Sequence, residues 1–296
     1  MKQYTFYPGC AYDSSGLPIK LSIESTNPLL GIELVNLEDW TCCGCPGAAI
    51  SELGGLALAT RNLALAEKMD RDLVSACSCC YRNLLNAHLT YTTDARIRAK
   101  LSEALAVSNL KYTGHVRVRG LVDVYVNDIG IELISSKVKK KLTGLKVACW
   151  YGCHQTRPFG PDDSENPQWM DWVVTALGAE PVQYPLKTLC CGGAELMSDK
   201  NMVVKLNQKL LNNAVKCGAQ AMVTTLCPLC FTNLDAFQGQ FTSETGNKFN
   251  MPIIALSQIM GVAFGLSFKA LGLDKNVTPV DKILAPYYSL VTEARA

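Results

Sequence analysis

The chain has 296 residues, 48% of them apolar and 18% charged, with a formal net charge of +2. That length supports one large core or two medium ones, and the near balance of charge leaves no broad basic surface for nucleic acid. The one basic run, Lys137 and Lys139 to Lys141, reads as a solvated helix end or linker.

The N-terminus carries no apolar signal core or cleavage site, so a cytoplasmic protein is expected. Tyr4–Tyr7 reads as a short strand feeding into Cys10. A helical stretch near Leu17–Leu29 and a strand at Glu33–Leu37 lead to the doublet Cys42 and Cys43. Leu56–Lys68 has helical periodicity, Leu73–Ala76 is strand-like, and the pair Cys77 and Cys80 opens a helix over Tyr81–His88. Arg96–Gly144 reads as a partly helical connection, with packed pieces at Val116, Val118 and Val122–Val126.

The series then returns. A strand at Lys146–Tyr151 enters Cys153, and a helix at Gln168–Leu177 and a strand at Pro181–Tyr184 lead to Cys190 and Cys191. Met202–Lys216 is helical, Met222–Thr225 a strand, and Cys227 and Cys230 open a helix over Phe231–Phe237. The late apolar stretch Ile253–Phe268 is interrupted by Ser257, Gln258 and Ser267 and is too short for a membrane span. Its stripe of Leu256, Ile259, Met260, Ala263 and Phe264 marks a core or subunit interface.

The two cysteine sets therefore share one spelling, with matching positions offset by 143, 148 and 150 residues. Flanking text repeats as well: Tyr-Pro-Gly-Cys before Cys10 corresponds to Trp-Tyr-Gly-Cys before Cys153. The expected boundaries are a first cysteine-rich repeat at 1–95, a connection at 96–144, a second repeat at 145–250 and a C-terminal helical segment at 251–296. The expected fold is α/β, with two tandem pseudo-symmetric repeats of short parallel sheets covered by helices, each binding an iron–sulfur cluster. Such sheets gather their sites at the C-terminal edges of strands, where residues distant in sequence converge.

Fourteen cysteines in a reducing compartment are not expected to form structural disulfides, and adjacent cysteines pair poorly with each other. Ordered thiols on a repeated scaffold point to metal. Zinc takes four thiolates, commonly from two Cys-x-x-Cys knuckles. Each repeat here has one knuckle and a doublet, which suits a multi-iron cluster better, with zinc in one repeat as the alternative. Cys45, Cys79, Cys149 and Cys217 fall outside the repeated set; Cys149 and Cys217 read as small buried hydrophobes. Cys45 is the least secure of the four as a non-ligand, because it lies two residues after Cys43. Neither G-x-G-x-x-G nor G-x-x-x-x-G-K-[ST] occurs, so electrons are expected from a separate donor protein.

The pattern C-x31-C-C-x33-C-x-x-C followed by C-x36-C-C-x35-C-x-x-C resembles the paired cysteine-rich CCG domains of the heterodisulfide reductase B subunit. Tyr-Pro-Gly-Cys-Ala, Asp-Trp-Thr-Cys-Cys-Gly, Trp-Tyr-Gly-Cys-His, Leu-Cys-Cys-Gly-Gly and Leu-Cys-Pro-Leu-Cys support it, and the likeness covers residues 4 to about 273. The resemblance implies two non-cubane 4Fe–4S clusters. One would be held by Cys10, Cys42, Cys43, Cys77 and Cys80, the other by Cys153, Cys190, Cys191, Cys227 and Cys230. It implies a disulfide oxidoreductase cleaving CoM-S-S-CoB, as in methanogenesis, or a related sulfur substrate by two one-electron steps. It also implies partners: an iron–sulfur C subunit, together with a flavin-containing A subunit. The Cys-Cys-Gly-Cys-Pro-Gly run and the Asp39-Trp40 lead-in depart from methanogen versions toward bacterial ones, which leaves the natural disulfide open. An electron-relay or adaptor subunit of a quinone/fumarate-linked or sulfur-oxidising complex is the alternative.

Thiolate release needs protons or positive charge. His154 follows Cys153, Arg157 lies one turn on, and Lys187 stands three residues before Cys190. His154 and Lys187 are the candidate proton donors, and the second repeat is expected to carry the basic face of the site. His88 and His115, with no cysteine beside them, read as structural.

Overall fold

Two parallel sheets of four strands carry the chain in the computed structural model, which describes residues 1–45, 50–240 and 249–288. The first has the order β2-β1-β3-β4, from Ile32–Asn36, Lys2–Tyr7, Leu73–Ser75 and Val118–Gly120. The second repeats it as β6-β5-β7-β8, from Glu180–Pro181, Lys146–Trp150, Ala221–Thr224 and Ile253–Ala255. Thr5 pairs with Leu73 and Leu73 with Val118; Ala148 pairs with Met222 and Met222 with Ile253. The inner strands are buried along nearly their whole length, as parallel strands covered on both faces must be.

Each fourth strand comes from outside the cysteine-bearing segment. β4 lies in the stretch expected to connect the repeats, and β8 in the stretch expected to be C-terminal and helical. β6 is shorter than the strand expected at Pro181–Tyr184. Pro181 has no N–H to donate, and Tyr184 turns inward to bond the Leu210 carbonyl at 3.1 Å.

Helices follow the apolar periodicity: α1 (Leu17–Thr26), α2 (Glu52–Glu67), α3 (Ser78–Thr93) and α4 (Ala95–Ala106). α2 begins at Glu52 because the Ser51 hydroxyl accepts the Gly54 N–H, and Asp94 caps α4 in the same way. After β4 come α5 (Leu121–Asp123), a π-helical turn (Val124–Ile129) and α6 (Ile131–Ser136). The second repeat supplies α7 (Cys153–Thr156), α8 (Trp169–Ala176), α9 (Lys200–Lys216) and α10 (Pro228–Ala236), then α11 (Leu256–Ala263) after β8.

The halves pack as one body through a reciprocal exchange. α11, which follows the second sheet, packs on α1 of the first repeat; α6, which follows the first sheet, packs on α8 of the second. At the α1–α11 contact the hydroxyls of Ser22 and Ser257, both fully buried, lie 2.6 Å apart. All eight residues of α11 are buried, which makes the expected stripe a core on every side. The largest core runs from Phe6, Ile19 and Ile23 through Trp150 and Met222 to Ile259 and Phe264. The basic run has a defined place: the backbone N–H groups of Lys139 and Lys140 donate to Ala263 O at the end of α11. Among the described residues no helix is long and apolar enough to cross a membrane.

Candidate metal centre

The cysteines of the two sets follow the C-terminal ends of strands, in loops or in the first turn of the next helix, where Cys80 and Cys230 lie. β1 leads to Cys10, β2 to the doublet Cys42 and Cys43, and β3 to Cys77, which is the N-cap of α3. β5, β6 and β7 lead likewise to Cys153, to Cys190 and Cys191, and to Cys227, the N-cap of α10. Gly9 holds a left-handed φ of 76°, and a Cβ there would lie 3.1 Å from the Cys80 sulfur. Glycine is needed beside Cys10 on both counts.

Three supports recur in both repeats and explain why so many thiols are held close together. First, an aromatic side chain three residues before the leading cysteine clamps the residue before the doublet. Tyr7 donates its hydroxyl to Thr41 O at 2.7 Å, and Trp150 donates Nε1 to Leu189 O at 3.1 Å. Second, an asparagine on the following long helix holds the doublet backbone: Asn62 bonds Thr41 O at 2.9 Å, and Asn207 bonds Cys191 O at 2.9 Å. Third, each doublet sulfur accepts the N–H two residues on. Gly192 donates to Cys190 at 3.2 Å and Gly193 to Cys191 at 3.4 Å, and Gly44 and Cys45 do the same for Cys42 and Cys43.

The electrostatics split each set: neighbouring thiols and burial raise Cys42, Cys77, Cys80, Cys153, Cys191 and Cys230, while one or two thiols in each repeat are lowered toward thiolate. Cys43 is pulled down to about 6, first by a hydrogen bond from Cys80, against the opposing effect of burial. Cys190 lies well below the usual thiol range, first through Cys153 and then Cys191. Cys227 is likewise lowered, by Cys230, Cys77 and N–H groups including that of Cys79. Cys77 is raised, first by neighbouring Cys227; the amides at the helix N-termini act the other way on it, and on Cys227 they add to the lowering. Within the second set the sulfurs of Cys191 and Cys230 are 3.6 Å apart. Across the repeats those of Cys77 and Cys227 are 3.7 Å apart, so the sets meet on one seam. Among the described residues no group of three or more His, Cys, Asp or Glu closes around a point suited to a single ion. The donor chemistry, five sulfurs per repeat with backbone N–H groups aimed at them, fits an iron–sulfur group.

The candidate basic residues divide. His154 is half-buried beside this seam. Burial lowers its pKa first, then the Arg82 charge, while Cys227 and Cys190 pull it up. Lys187 has other partners than expected. Its ammonium is buried, donates to Asp171 Oδ1 at 2.8 Å and Pro167 O at 3.0 Å, and stands 5.7 Å from the Tyr151 ring centroid. The Lys187 carbonyl in turn accepts the N–H groups of Tyr151 and Gly152 at 2.8 and 3.0 Å, tying its loop to the one that carries Cys153. Arg157 is exposed and pairs with Glu165 at 2.7 Å. To the basic groups expected from the second repeat the structure adds one from the first: Arg82, on α3, whose charge acts on His154. Arg82 stands in the repeated Cys-Cys-Tyr-Arg-Asn-Leu text, but its counterpart Thr232 is uncharged, so the repeat gave no signal for it. Cys149 is fully buried in β5, Cys217 lies beside Asn213, His88 bonds the Tyr112 hydroxyl at 2.7 Å and His115 bonds Thr113 at 2.6 Å.

Residues 4–85 and 147–235 both match the cysteine-rich domain CCG. Over 286 residues the chain is 36% identical to the 8-methylmenaquinol:fumarate reductase membrane anchor subunit of Wolinella succinogenes, covering 95% of this chain and 99% of that one. It is 33% identical over 294 residues to a protein of Archaeoglobus profundus that is like the heterodisulfide reductase B subunit, covering 96% and 97%. It is 28% identical over 298 residues to the B subunit of the ferredoxin/F(420)H(2)-dependent CoB-CoM heterodisulfide reductase of Methanosarcina acetivorans, covering 98% of each. A crystal structure of a hypothetical protein from Helicobacter pylori shares the fold, with a TM-score of 0.73 and 19% identity. That likeness covers 94% of this chain and about half, 52%, of the other.

Proposed function

The chain belongs to the heterodisulfide reductase B-subunit family, with two cysteine-rich CCG domains in tandem, and from that premise we propose that it is the disulfide-reducing subunit of a multi-subunit oxidoreductase. In this reading Cys10, Cys42, Cys43, Cys77 and Cys80 hold one non-cubane 4Fe–4S cluster, and Cys153, Cys190, Cys191, Cys227 and Cys230 hold the other. When bound, the clusters supply electrons one at a time. The net reaction adds two electrons and two protons to a disulfide, breaking its S–S bond and forming two thiols.

The observation that carries the reading is the 3.7 Å approach of Cys77 and Cys227. Two thiol sets that meet on one seam suit a substrate with two sulfurs. His154, its pKa lowered by burial and by Arg82 against the pull of Cys227 and Cys190, accepts and passes on protons beside the seam. Arg82 offers fixed positive charge to the sulfur anions, which are costly to leave uncompensated in a buried site. Lys187 acts through Asp171 and the Tyr151–Gly152 backbone, as a positioning residue for Cys153. A flavin-containing partner would deliver the electrons through an iron–sulfur one.

A second reading is favoured by the fumarate reductase relative: an electron-relay subunit of a quinone- or fumarate-linked complex. One measurement separates them. Anaerobically prepared protein is analysed for iron, with two clusters of four expected, and its half-reduced paramagnetic spectrum is recorded with and without a small thiol. A spectrum that shifts with thiol supports the disulfide-reducing reading; one that ignores thiol favours the relay. Iron for a single cluster, or zinc in equal amount to protein, overturns the assignment for one repeat.

A further inference from the structure

The first repeat has two cysteines that the second lacks. Cys45 follows the doublet by two residues, and Cys79 stands inside the Cys77–Cys80 knuckle. Their counterparts, by the offsets that align the repeats, are Gly193 and Leu229. Those two positions are neighbours in the second repeat: a Cβ built on Gly193 would lie 3.0 Å from Leu229 Cγ. The same scaffold in the first repeat sets one thiol against another, and Cys45 and Cys79 lie close enough to act on each other's ionisation. The aligned Gly193–Leu229 contact, with its Cβ position 3.0 Å from a side-chain carbon, shows that the scaffold brings these two positions into the close side-chain contact a disulfide needs, with Cβ atoms ~3.5–4.5 Å apart. The two differ in access. Cys45 is partly exposed, whereas Cys79 is 6% exposed.

We infer that Cys45 and Cys79 form a thiol–disulfide couple beside the first cysteine set, which exchanges with small disulfides from solvent. Cys45 attacks one sulfur of the incoming disulfide, breaking its S–S bond, releasing one thiol and leaving a mixed disulfide on Cys45. Cys79 then attacks the Cys45 sulfur, forming the Cys45–Cys79 bond and releasing the second thiol. Two protein thiols are oxidised, one small disulfide is reduced, and the two hydrogens leave on the released thiols. A partly exposed attacking sulfur with a buried resolving sulfur behind it is the arrangement that two-step exchange requires. The couple handles electrons in pairs and needs no cluster to do so, so it is independent of which reading of the centre holds.

The test uses full-length, cluster-loaded protein under anaerobic conditions, treated with 2-hydroxyethyl disulfide. Free thiols are then alkylated and peptides sequenced by mass spectrometry, with iron measured in parallel. The expected result is a Cys45–Cys79 linked peptide at unchanged iron content, lost again on treatment with dithiothreitol. Cys79→Ser should stop at a mercaptoethanol adduct on Cys45, and Cys45→Ser should leave Cys79 unmodified. Absence of the linked peptide while iron is intact, or its appearance only in step with iron loss, overturns the inference. So does a lower iron content in either single variant, since that would make Cys45 or Cys79 a cluster ligand.

Discussion

Cys77 and Cys227 occupy the same position in separate repeats, and their sulfurs lie 3.7 Å apart, with the Cys79 N–H also donating to Cys227. Contact of this kind makes the two thiol sets electronic neighbours as well as structural ones. Both of these cysteines are buried, whereas Cys10 of the first set is exposed.

The consequence for mutagenesis is a difference between positions of one set. Cys10→Ser is expected to remove or alter one cluster and leave the spectrum of the other unchanged. Cys77→Ser and Cys227→Ser should each disturb both. Iron content and paramagnetic spectra of the three variants check this, and three equivalent spectra would argue against a shared seam.

Removing Lys187 strands a buried carboxylate. Asp171 is paired with it at 2.8 Å and also accepts the Tyr151 hydroxyl at 2.6 Å. Lys187→Met is expected to cost about 3–5 kcal/mol of stability, the usual loss when one partner of a buried ion pair is deleted. Lys187→Met combined with Asp171→Leu should recover part of it. Denaturant unfolding of the single and double variants measures the difference. A stable Lys187→Met protein with slow disulfide turnover would instead restore Lys187 as a proton donor.

The aromatic clamps predict a paired effect. Tyr7→Phe loses one hydrogen bond to Thr41 O and should cost about 0.5–1.5 kcal/mol. Because that bond holds the residue before Cys42, the variant should also release iron to a chelator faster than wild type. Trp150→Phe removes the equivalent bond to Leu189 O and should behave alike in the second repeat. Chelator-release kinetics followed by absorbance give the comparison.

His88 sets a pH dependence apart from the metal chemistry. Burial lowers its pKa, with Glu67 acting weakly the other way, and its ring bonds the Tyr112 hydroxyl. The unfolded chain, with an ordinary histidine pKa of about 6.5, therefore binds the proton more readily than the folded one. Stability contributed by neutral His88 is complete above about pH 6.5 and is lost as pH falls below it. His88→Gln should flatten that acid limb, as read from melting temperatures between pH 5 and 7.

The alternation of strands and helices was legible because each cysteine-bearing segment has strong apolar periodicity, and ten cysteines in two like-spaced sets announced the centre. β4 and β8 were not legible as strands, since neither leads into a cysteine as β3 does and their apolar residues run straight into helical text. The orientation of Lys187 was hidden for a different reason. Nearness in sequence to Cys190 suggested a role at the sulfurs, but its partner Asp171 is on α8, sixteen residues back, and only the fold brings the charges together. Asn62 and Asn207 had a signal that could have been read: each occupies the middle of an otherwise apolar helix face, where an amide is retained only with a partner.

The crossing of α11 onto α1 and of α6 onto α8 bears on how a chain of this kind can arise. A single unit, made of one sheet and the helix that follows its fourth strand, has no place of its own for that helix and an uncovered first helix. Two copies satisfy each other by trading the helix around a twofold axis, as exchanged dimers do. Joining the copies end to end keeps every contact and removes the concentration dependence. The fused chain is then free to let its halves diverge, as the Cys45–Cys79 and Gly193–Leu229 positions have done.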